Sequence, residues 1–236
     1  MAERLERRGG SVTIHDPDRY QDFDPGWFDV DWWLGEGARE HSTTGRGTVM
    51  MLDRDRETWV YRHYHRGGLV SRVIYDHYVY TGAARTRPIR EWRLLTALEA
   101  HDLPAPRPVA ARAVCRGPFY RADILTVLLP ETRPLSSRLG EVWQESGLWA
   151  AIGRMLARFH AVGCDHPDLT AHNVLVDTSL NPFLVDFDDA RLKGPGIWSE
   201  AGVARFERSL RKVSLETGTE FDERAWSTLL AAYRAA

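Results

Sequence analysis

Lysine is almost missing from this chain. Only Lys193 and Lys212 occur among 31 basic residues, so any cation that the first 190 residues supply has to be arginine or histidine. Cysteine is nearly as scarce. Cys115 and Cys164 stand far apart with no metal-ligand spacing, and they read as two free thiols in a reducing cytosol. No apolar run approaches the roughly 20 residues of a membrane-spanning helix. The opening MAERLERRGG mixes acids among its bases and has no apolar core, unlike a signal peptide. A net charge of −2 provides no electrostatic footprint for nucleic acid, so no nucleic-acid partner is expected. Internal repeats and low-complexity tracts are absent too.

What is present is ample material for a core: 236 residues, enough for one large domain or two lobes, with nine Trp. Residues 1 to about 30 scatter Asp, Pro and Gly and are expected to wrap over a surface. Within and beyond them, WFDVDWW (27–33) suits either packing against a lobe or contact with a bilayer, packing being the expectation. TVMML (48–52) and TWVYRHY (58–64) flank the charged turn DRDRE and predict a hairpin. From Pro88, PIREWRLLTALEAHDL places Ile89, Trp92, Leu95 and Leu98 on one helical face, with proline in the first turn. VAARAV and YRADILTVLLP predict a second hairpin around RGPF, and ETRPLSS reads as a connector with a lobe boundary near 130–134. Beyond it, Leu148, Ile152, Met155, Leu156 and Phe159 fall at helical spacing. NVLVD and PFLVDFD predict a short hairpin around TSLN, and the tail reads as helical. The pattern is α+β: a β-rich lobe with one helix over 1–130, then a mainly helical lobe over 131–236.

Two stretches carry chemistry. HPDLTAHNVLVD (166–177) and LVDFDDA (184–190) are dense in Asp, Asn and His, and each adjoins an apolar strand. Singly, such residues are turn punctuation, because their side chains bond nearby backbone groups. Jointly they fit metal-dependent chemistry. The ends of the two strands are neighbours in a hairpin, so the amide of Asn173 and the carboxylate of Asp186 can converge on one cation. Mg²⁺ takes oxygen ligands and needs only one or two from the protein. Asp168 then stands beside the metal, free to orient an attacking hydroxyl.

H-x-D-L-x-x-x-N followed by D-F resembles the catalytic and metal loops of the protein-kinase-like fold, two motifs in the right order and spacing. The lobe order resembles that two-lobed fold from about residue 45 onward. The resemblance implies Asp168 as catalytic base, Asn173 and Asp186 as ligands of Mg²⁺, and ATP as phosphoryl donor. It likens TTGRGT to a glycine-rich phosphate loop with Gly45 and Gly47, and Glu91 to the helical glutamate that holds a strand cation. It places His166 in packing and hydrogen bonding beneath the loop; for His172 a substrate role is open, and a buried, satisfied histidine is the expectation. Three departures stand out. The strand lysine is replaced in position by Arg62, whose forked guanidinium binds phosphate differently from an ammonium. Pro167 replaces the arginine that would receive an activating phosphate. Asp188 replaces the glycine after D-F, and no A-P-E follows.

RHYHRGGLV, TGAARTRPIREWRLL, HPDLTAHNVL and VDFDDARL together resemble the bacterial 3-deoxy-D-manno-octulosonic acid (Kdo) kinases of lipopolysaccharide assembly, over most of the chain. That resemblance implies transfer of the ATP γ-phosphoryl to the 4-hydroxyl of Kdo on a lipid A precursor. It also implies peripheral work at the cytoplasmic face of the bacterial inner membrane, and it leaves the oligomeric state open. Arg66, Arg72, Arg85 and Arg87 are acceptor-binding candidates, since arginine pairs with carboxylate and phosphate; a solvated arginine-biased insertion explains them equally well. Two rival classes remain: a soluble aminoglycoside- or choline-type kinase, which would act without lipid, and a non-catalytic nucleotide-binding module, which would bind ATP without transfer.

Overall fold

The computed structural model describes residues 2–37, 39–43, 47–54, 57–64, 76–194 and 196–236. Two compact units divide the chain, one of Met1–Thr96 with Pro106–Leu128 and the other of Ala97–Ala105 with Leu129–Ala236.

The first unit contains β1 (Arg4–Arg8), β2 (Ser11–His15), α1 (Val30–Gly35), β3 (Arg39–Thr43), β4 (Gly47–Arg54), β5 (Glu57–His63), β6 (Tyr78–Val79), most of α2 (Arg87–Ala100), β7 (Pro108–Arg116) and β8 (Phe119–Val127). Among the described residues these strands form one eight-stranded sheet in the order β1-β2-β7-β8-β5-β4-β3, with β6 paired to β8. Both expected hairpins form, β4 with β5 and β7 with β8, and each is antiparallel. The expectation for residues 1–30 needs correction. They begin as a β-hairpin, with β1 on β2 and β2 on β7. Gly9 and Gly10 at φ +55° and +81° make a two-residue turn whose twist suits paired strands, and Val12, Thr13 and Ile14 supply β-branched side chains.

The segment after that hairpin brings its aromatics onto the sheet. Tyr20, Trp27, Phe28 and Trp33 are buried with Met50, Leu52, Trp59, Tyr61, Val109 and Leu125. Trp27 meets Trp59 at 4.7 Å between ring centroids, and the Trp33 indole N–H donates to the Trp27 carbonyl. The Arg54 guanidinium lies 4.5 Å above Trp27 and 4.9 Å above Trp59. Burial of Trp27, Phe28 and Trp33 accords with the packing expectation for this stretch.

In the second unit come β9 (Arg133–Pro134), α3 (Leu139–Val142), α4 (Ser146–Ala161), β10 (Cys164–Asp165), β11 (Val174–Val176), β12 (Pro182–Leu184), β13 (Arg191–Leu192), α5 (Trp198–Thr217) and α6 (Glu223–Ala235). The α4 residues expected on one face are all buried. Gly153 lets α6 approach closely: a Cβ there would lie 2.3 Å from the Leu229 carbonyl oxygen. Asp222 caps α6 by accepting from the Arg224 and Ala225 amides, and Gly218 ends α5 at φ +67°. The connector ETRPLSS differs from expectation in containing β9, which pairs with β11. Residues 97–105 group with this unit because the Leu184 amide donates to Pro104 O at 2.9 Å and Arg158 donates to Asp102 O at 2.6 Å. Both cysteines are free, and burial pushes the Cys164 thiol up to about 12.

Candidate active site

The polar loop follows β10 directly. It is pinned from several sides: Leu169 and Ala171 are buried, the Ala171 amide donates to Ser209 Oγ on α5 at 3.0 Å, and the Ser136 amide donates to Ala171 O at 3.0 Å. His166 is buried beneath the loop with its ring edge-on to Phe187 at 5.1 Å. Its Nε2 lies 3.0 Å from Val185 O, and because a carbonyl only accepts, Nε2 carries the proton. Burial lowers the histidine's pKa against smaller opposing effects from that bond and from Asp186 and Asp168, so the ring is neutral. This neutral ring ties the first polar stretch to the second.

Asn173 ties them again. Its Nδ2 donates to the Asp168 carbonyl at 2.9 Å and to Asp168 Oδ2 at 3.0 Å, while its backbone carbonyl accepts from the Val185 amide at 2.9 Å. Both donor positions of the amide are therefore turned toward Asp168, and Oδ1 accepts no hydrogen bond from the described residues. Asp186 follows one residue beyond the Asn173–Val185 bond. It adopts φ +67°, a left-handed conformation that Asp tolerates better than most residues. The strand ends at Leu184, so Asp186 stands beyond its end, while Phe187 is buried against Phe159 at 5.9 Å. Asp168 and Asp186 are both exposed. Of the two histidines of the first stretch, only His166 is buried. The expectation for His172 is corrected: it is exposed, because its neighbours Ala171 and Val174 take the inward positions.

Among the described residues no group of three or more His, Cys, Asp or Glu is arranged to hold a metal. A Mg²⁺ site built from one amide oxygen and one carboxylate, completed by phosphate and water, requires no such group. The donor set of Asn173 and Asp186 fits that kind of site.

In the first unit, strand alternation puts Arg62 and Tyr64 on the face opposite Trp59, Tyr61 and His63. Arg62 Nη2 donates to both Glu91 oxygens, at 2.6 and 2.7 Å, and the Tyr64 hydroxyl donates to Glu91 Oε2. The Arg62 guanidinium also sits 4.8 Å above the Tyr64 ring. Glu91 is 4% exposed, which a carboxylate accepts only when ionically paired and hydrogen-bonded. Sequence reasoning paired Arg62 with Glu91 and missed Tyr64, although its i+2 spacing from Arg62 signals a shared face.

Gly45 lies outside the described residues. Gly47 opens β4 opposite Thr43 of β3, so two paired strands flank that stretch. Arg66 and Arg72 also lie outside the described residues. Arg85 is exposed, whereas Arg87 stacks 4.9 Å above Tyr78 and its amide donates to the Tyr120 hydroxyl. A polar node on the other face of the sheet was not anticipated. His63, Asp123 and Arg112 are successive cross-strand neighbours on β5, β8 and β7. Asp123, 2% exposed, accepts from Tyr61 at 2.7 Å and Arg112 at 2.9 Å and lies 2.7 Å from His63 Nδ1. Burial pushes Asp123 up, but His63, Arg112 and Tyr61 outweigh it and hold the carboxyl below its ordinary range. The one signal in the sequence was an acid inside the apolar strand YRADILTV.

The Lipopolysaccharide kinase (Kdo/WaaP) family matches residues 30–233. A 3-deoxy-D-manno-octulosonic acid kinase of Stenotrophomonas maltophilia is 37% identical over 97% of this chain and 91% of its own length. Its namesake from Vibrio parahaemolyticus is 34% identical over 96% of this chain and 95% of that protein. A third, from Xanthomonas campestris, is 38% identical over 98% and 92%. Among solved structures, WaaP in complex with acyl carrier protein superposes with a TM-score of 0.60 at 16% identity, covering 93% of this chain and 86% of that one. That likeness establishes the two-lobed, α+β protein-kinase-like fold. The chain belongs to the lipopolysaccharide kinase (Kdo/WaaP) family and is a phosphotransferase.

Proposed function

We propose that this protein transfers the γ-phosphoryl group of ATP, with Mg²⁺, to the 4-hydroxyl of Kdo on a lipid A precursor, working peripherally at the cytoplasmic face of the inner membrane. Relatives that carry the name 3-deoxy-D-manno-octulosonic acid kinase and match nearly end to end support the acceptor. The observation that carries the reading is Asn173, whose amide holds Asp168 while its backbone holds the strand end that leads into Asp186.

In this reading the exposed carboxylate of Asp168 takes the proton of the acceptor hydroxyl as that oxygen attacks the phosphorus. The Asn173 amide bond to Oδ2 keeps the carboxylate in place, and the neutral His166 beneath fixes the loop. Asn173 Oδ1 and the Asp186 carboxylate would hold Mg²⁺, which when bound neutralises charge on the phosphates. Residues 1–130 serve as the nucleotide-binding lobe, with Arg62 steadied by Glu91 and Tyr64 to meet phosphate oxygens and with Gly45 and Gly47 in the phosphate loop. Residues 131–236 serve as the catalytic lobe. An arginine suits this position, since its planar guanidinium pairs with carboxylate and phosphate alike.

The test is incubation of purified protein with Kdo-bearing lipid A precursor, ATP and Mg²⁺, read by mass spectrometry of the lipid. One added phosphoryl group on the Kdo residue is expected, and none with Asp168→Ala. Transfer to an aminoglycoside or choline in place of the lipid would overturn the acceptor assignment. ATP binding with no transfer to any acceptor would overturn the reading as a whole.

A further inference from the structure

Two stretches of backbone meet at the base of the polar loop, and a lysine closes the junction. β13 pairs with β10 in a short antiparallel ladder, Leu192 opposite Cys164 and Arg191 opposite Asp165. One residue further on, the Lys193 amide donates to Gly163 O at 2.8 Å. Gly163 sits at φ +82°, and a Cβ there would lie 2.3 Å from the Lys193 carbonyl oxygen, so only glycine admits this approach. Lys193 then reaches back across the ladder, its Nζ 2.6 Å from Asp165 Oδ2. The Asp165 side chain is 12% exposed and that of Lys193 40% exposed. A charge as covered as that of Asp165 is costly unless it is paired, and one of the chain's two lysines supplies the partner.

The junction matters because of what lies on either side of it. Asp165 runs into His166, whose ring holds Val185 O, and three residues on into Asp168. Val185 and Lys193 bound the bend that carries Asp186, in which Phe187 and Ala190 are buried and the Ala190 amide donates to Phe187 O at 3.0 Å. That bend is fastened at both ends. At Val185 it is held by His166 and Asn173, and at Lys193 by Gly163 and Asp165. Where phosphorylation orders a segment of this kind, the new phosphate pairs with an arginine. Here position 167 is proline, the cation stands on the segment itself, and the anion stands at the root of the loop.

We propose that the Lys193–Asp165 ion pair is a built-in latch that sets Asp186 in register with Asp168, so that the site stands assembled without an activating phosphate. Lys193 and Asp165 are positioning residues: they act through the bend and the loop, not on the substrate. The effect is one of geometry more than of stability. A partly exposed ion pair adds little to global stability, whereas a displacement of about 1 Å at a reacting group costs on the order of a hundredfold in rate. The inference rests on the proposed phosphoryl transfer for its readout in turnover, and on backbone protection for a readout that needs no chemistry.

Lys193→Met keeps the apolar stem and removes the charge. It should melt close to wild type and bind ATP as wild type does in calorimetry without metal. Its kcat should nevertheless fall by about tenfold or more, and its Mg²⁺ requirement should rise, because the freed bend carries Asp186. Lys193→Arg restores a cation and should recover most of both. Asp165→Asn should resemble Lys193→Met, and the double variant should lose no more than the worse single, since both break one interaction. Phosphatase treatment should leave wild-type turnover unchanged. Hydrogen exchange, followed by mass spectrometry with no substrate present, should accelerate in Lys193→Met over peptides covering 185–194 and stay unchanged over α4 and α6. Wild-type kcat and Mg²⁺ requirement in folded Lys193→Met would overturn the proposal. So would losses that Lys193→Arg does not recover, losses that merely follow the melting temperature, or turnover abolished by phosphatase. Should wild-type protein transfer phosphate to no acceptor, the kinase reading falls and hydrogen exchange alone decides: acceleration confined to 185–194 sustains the latch, and unchanged exchange refutes it.

Discussion

Replacing Arg62 is the perturbation that reaches furthest into the proposed chemistry. The Glu91 side chain is 3% exposed and holds two hydrogen bonds from Arg62, whose own side chain is 31% exposed. Breaking a buried pair by deleting one partner costs about 3–5 kcal/mol, because the other charge stays buried. Solvent reaches the guanidinium in this pair and screens it, so Arg62→Ala should cost about 2–3 kcal/mol. That corresponds to a fall of about 5–15 °C in the melting temperature of the first unit, which tryptophan fluorescence of Trp59 and its neighbours can follow. Glu91→Ala removes the buried charge and leaves the more accessible partner, so it should cost less. The double variant should be milder than the sum of the singles by about 1–3 kcal/mol. Phosphoryl transfer should behave alike: a loss of about 10²–10³ for Arg62→Ala, less for Glu91→Ala, and sub-additive losses together. Arg62→Lys should retain partial activity, since an ammonium keeps the charge but must satisfy Glu91 and a phosphate from a shorter side chain without the planar fork. Strictly additive losses, or wild-type turnover by Arg62→Ala, would refute the coupling and move the phosphate contact elsewhere.

Asp168→Ala should lower transfer by about 10²–10⁴ while nucleotide binding measured by calorimetry survives, and near-normal turnover would remove Asp168 from the mechanism. Asp186→Ala and Asn173→Ala should both raise the Mg²⁺ requirement, Asp186→Ala more, since a carboxylate brings charge and an amide only a dipole; an unshifted Mg²⁺ titration in both would refute the metal assignment. Gly153→Ala should destabilise by about 1–3 kcal/mol through the Leu229 carbonyl 2.3 Å from the new Cβ, whereas Gly202→Ala, whose nearest neighbour is 3.6 Å away, should be neutral or slightly stabilising in thermal melts. His63 is raised above its ordinary 6.5 first by its bond to Asp123, against burial, and further by the Asp123 and Asp76 charges. Its contribution to stability should therefore be complete below pH 6.5 and fade as pH rises through the elevated folded value. Melting temperatures of His63→Gln should show a flatter dependence over that window, and an identical pH profile in the two proteins would refute the role.

The sequence determined the elements whose periodicity is strong and whose ends are punctuated. The α4 stripe from Leu148 to Phe159, the 48–64 hairpin and the helix begun at Pro88 follow from local pattern, because burial of one face imposes a period of 3.6 or 2. The spacing of His166, Asp168, Asn173 and Asp186 was legible for the same reason: a short hairpin leaves few ways to place its ends. The first hairpin is signalled locally only by Gly9–Gly10, because β1 is exposed and lacks the apolar alternation that marks a strand. Tertiary structure alone decided what no local pattern encodes. Asp123 became the centre of a network only when β5, β8 and β7 were set side by side, and the exposure of His172 follows from which of its neighbours turn inward. Asn173 clamps Asp168 rather than merely closing a turn because Val185 pairs with its backbone and fixes the direction of the amide. Residue types name the chemistry available; which side chains meet, and with what protonation, is set by long-range pairing and burial.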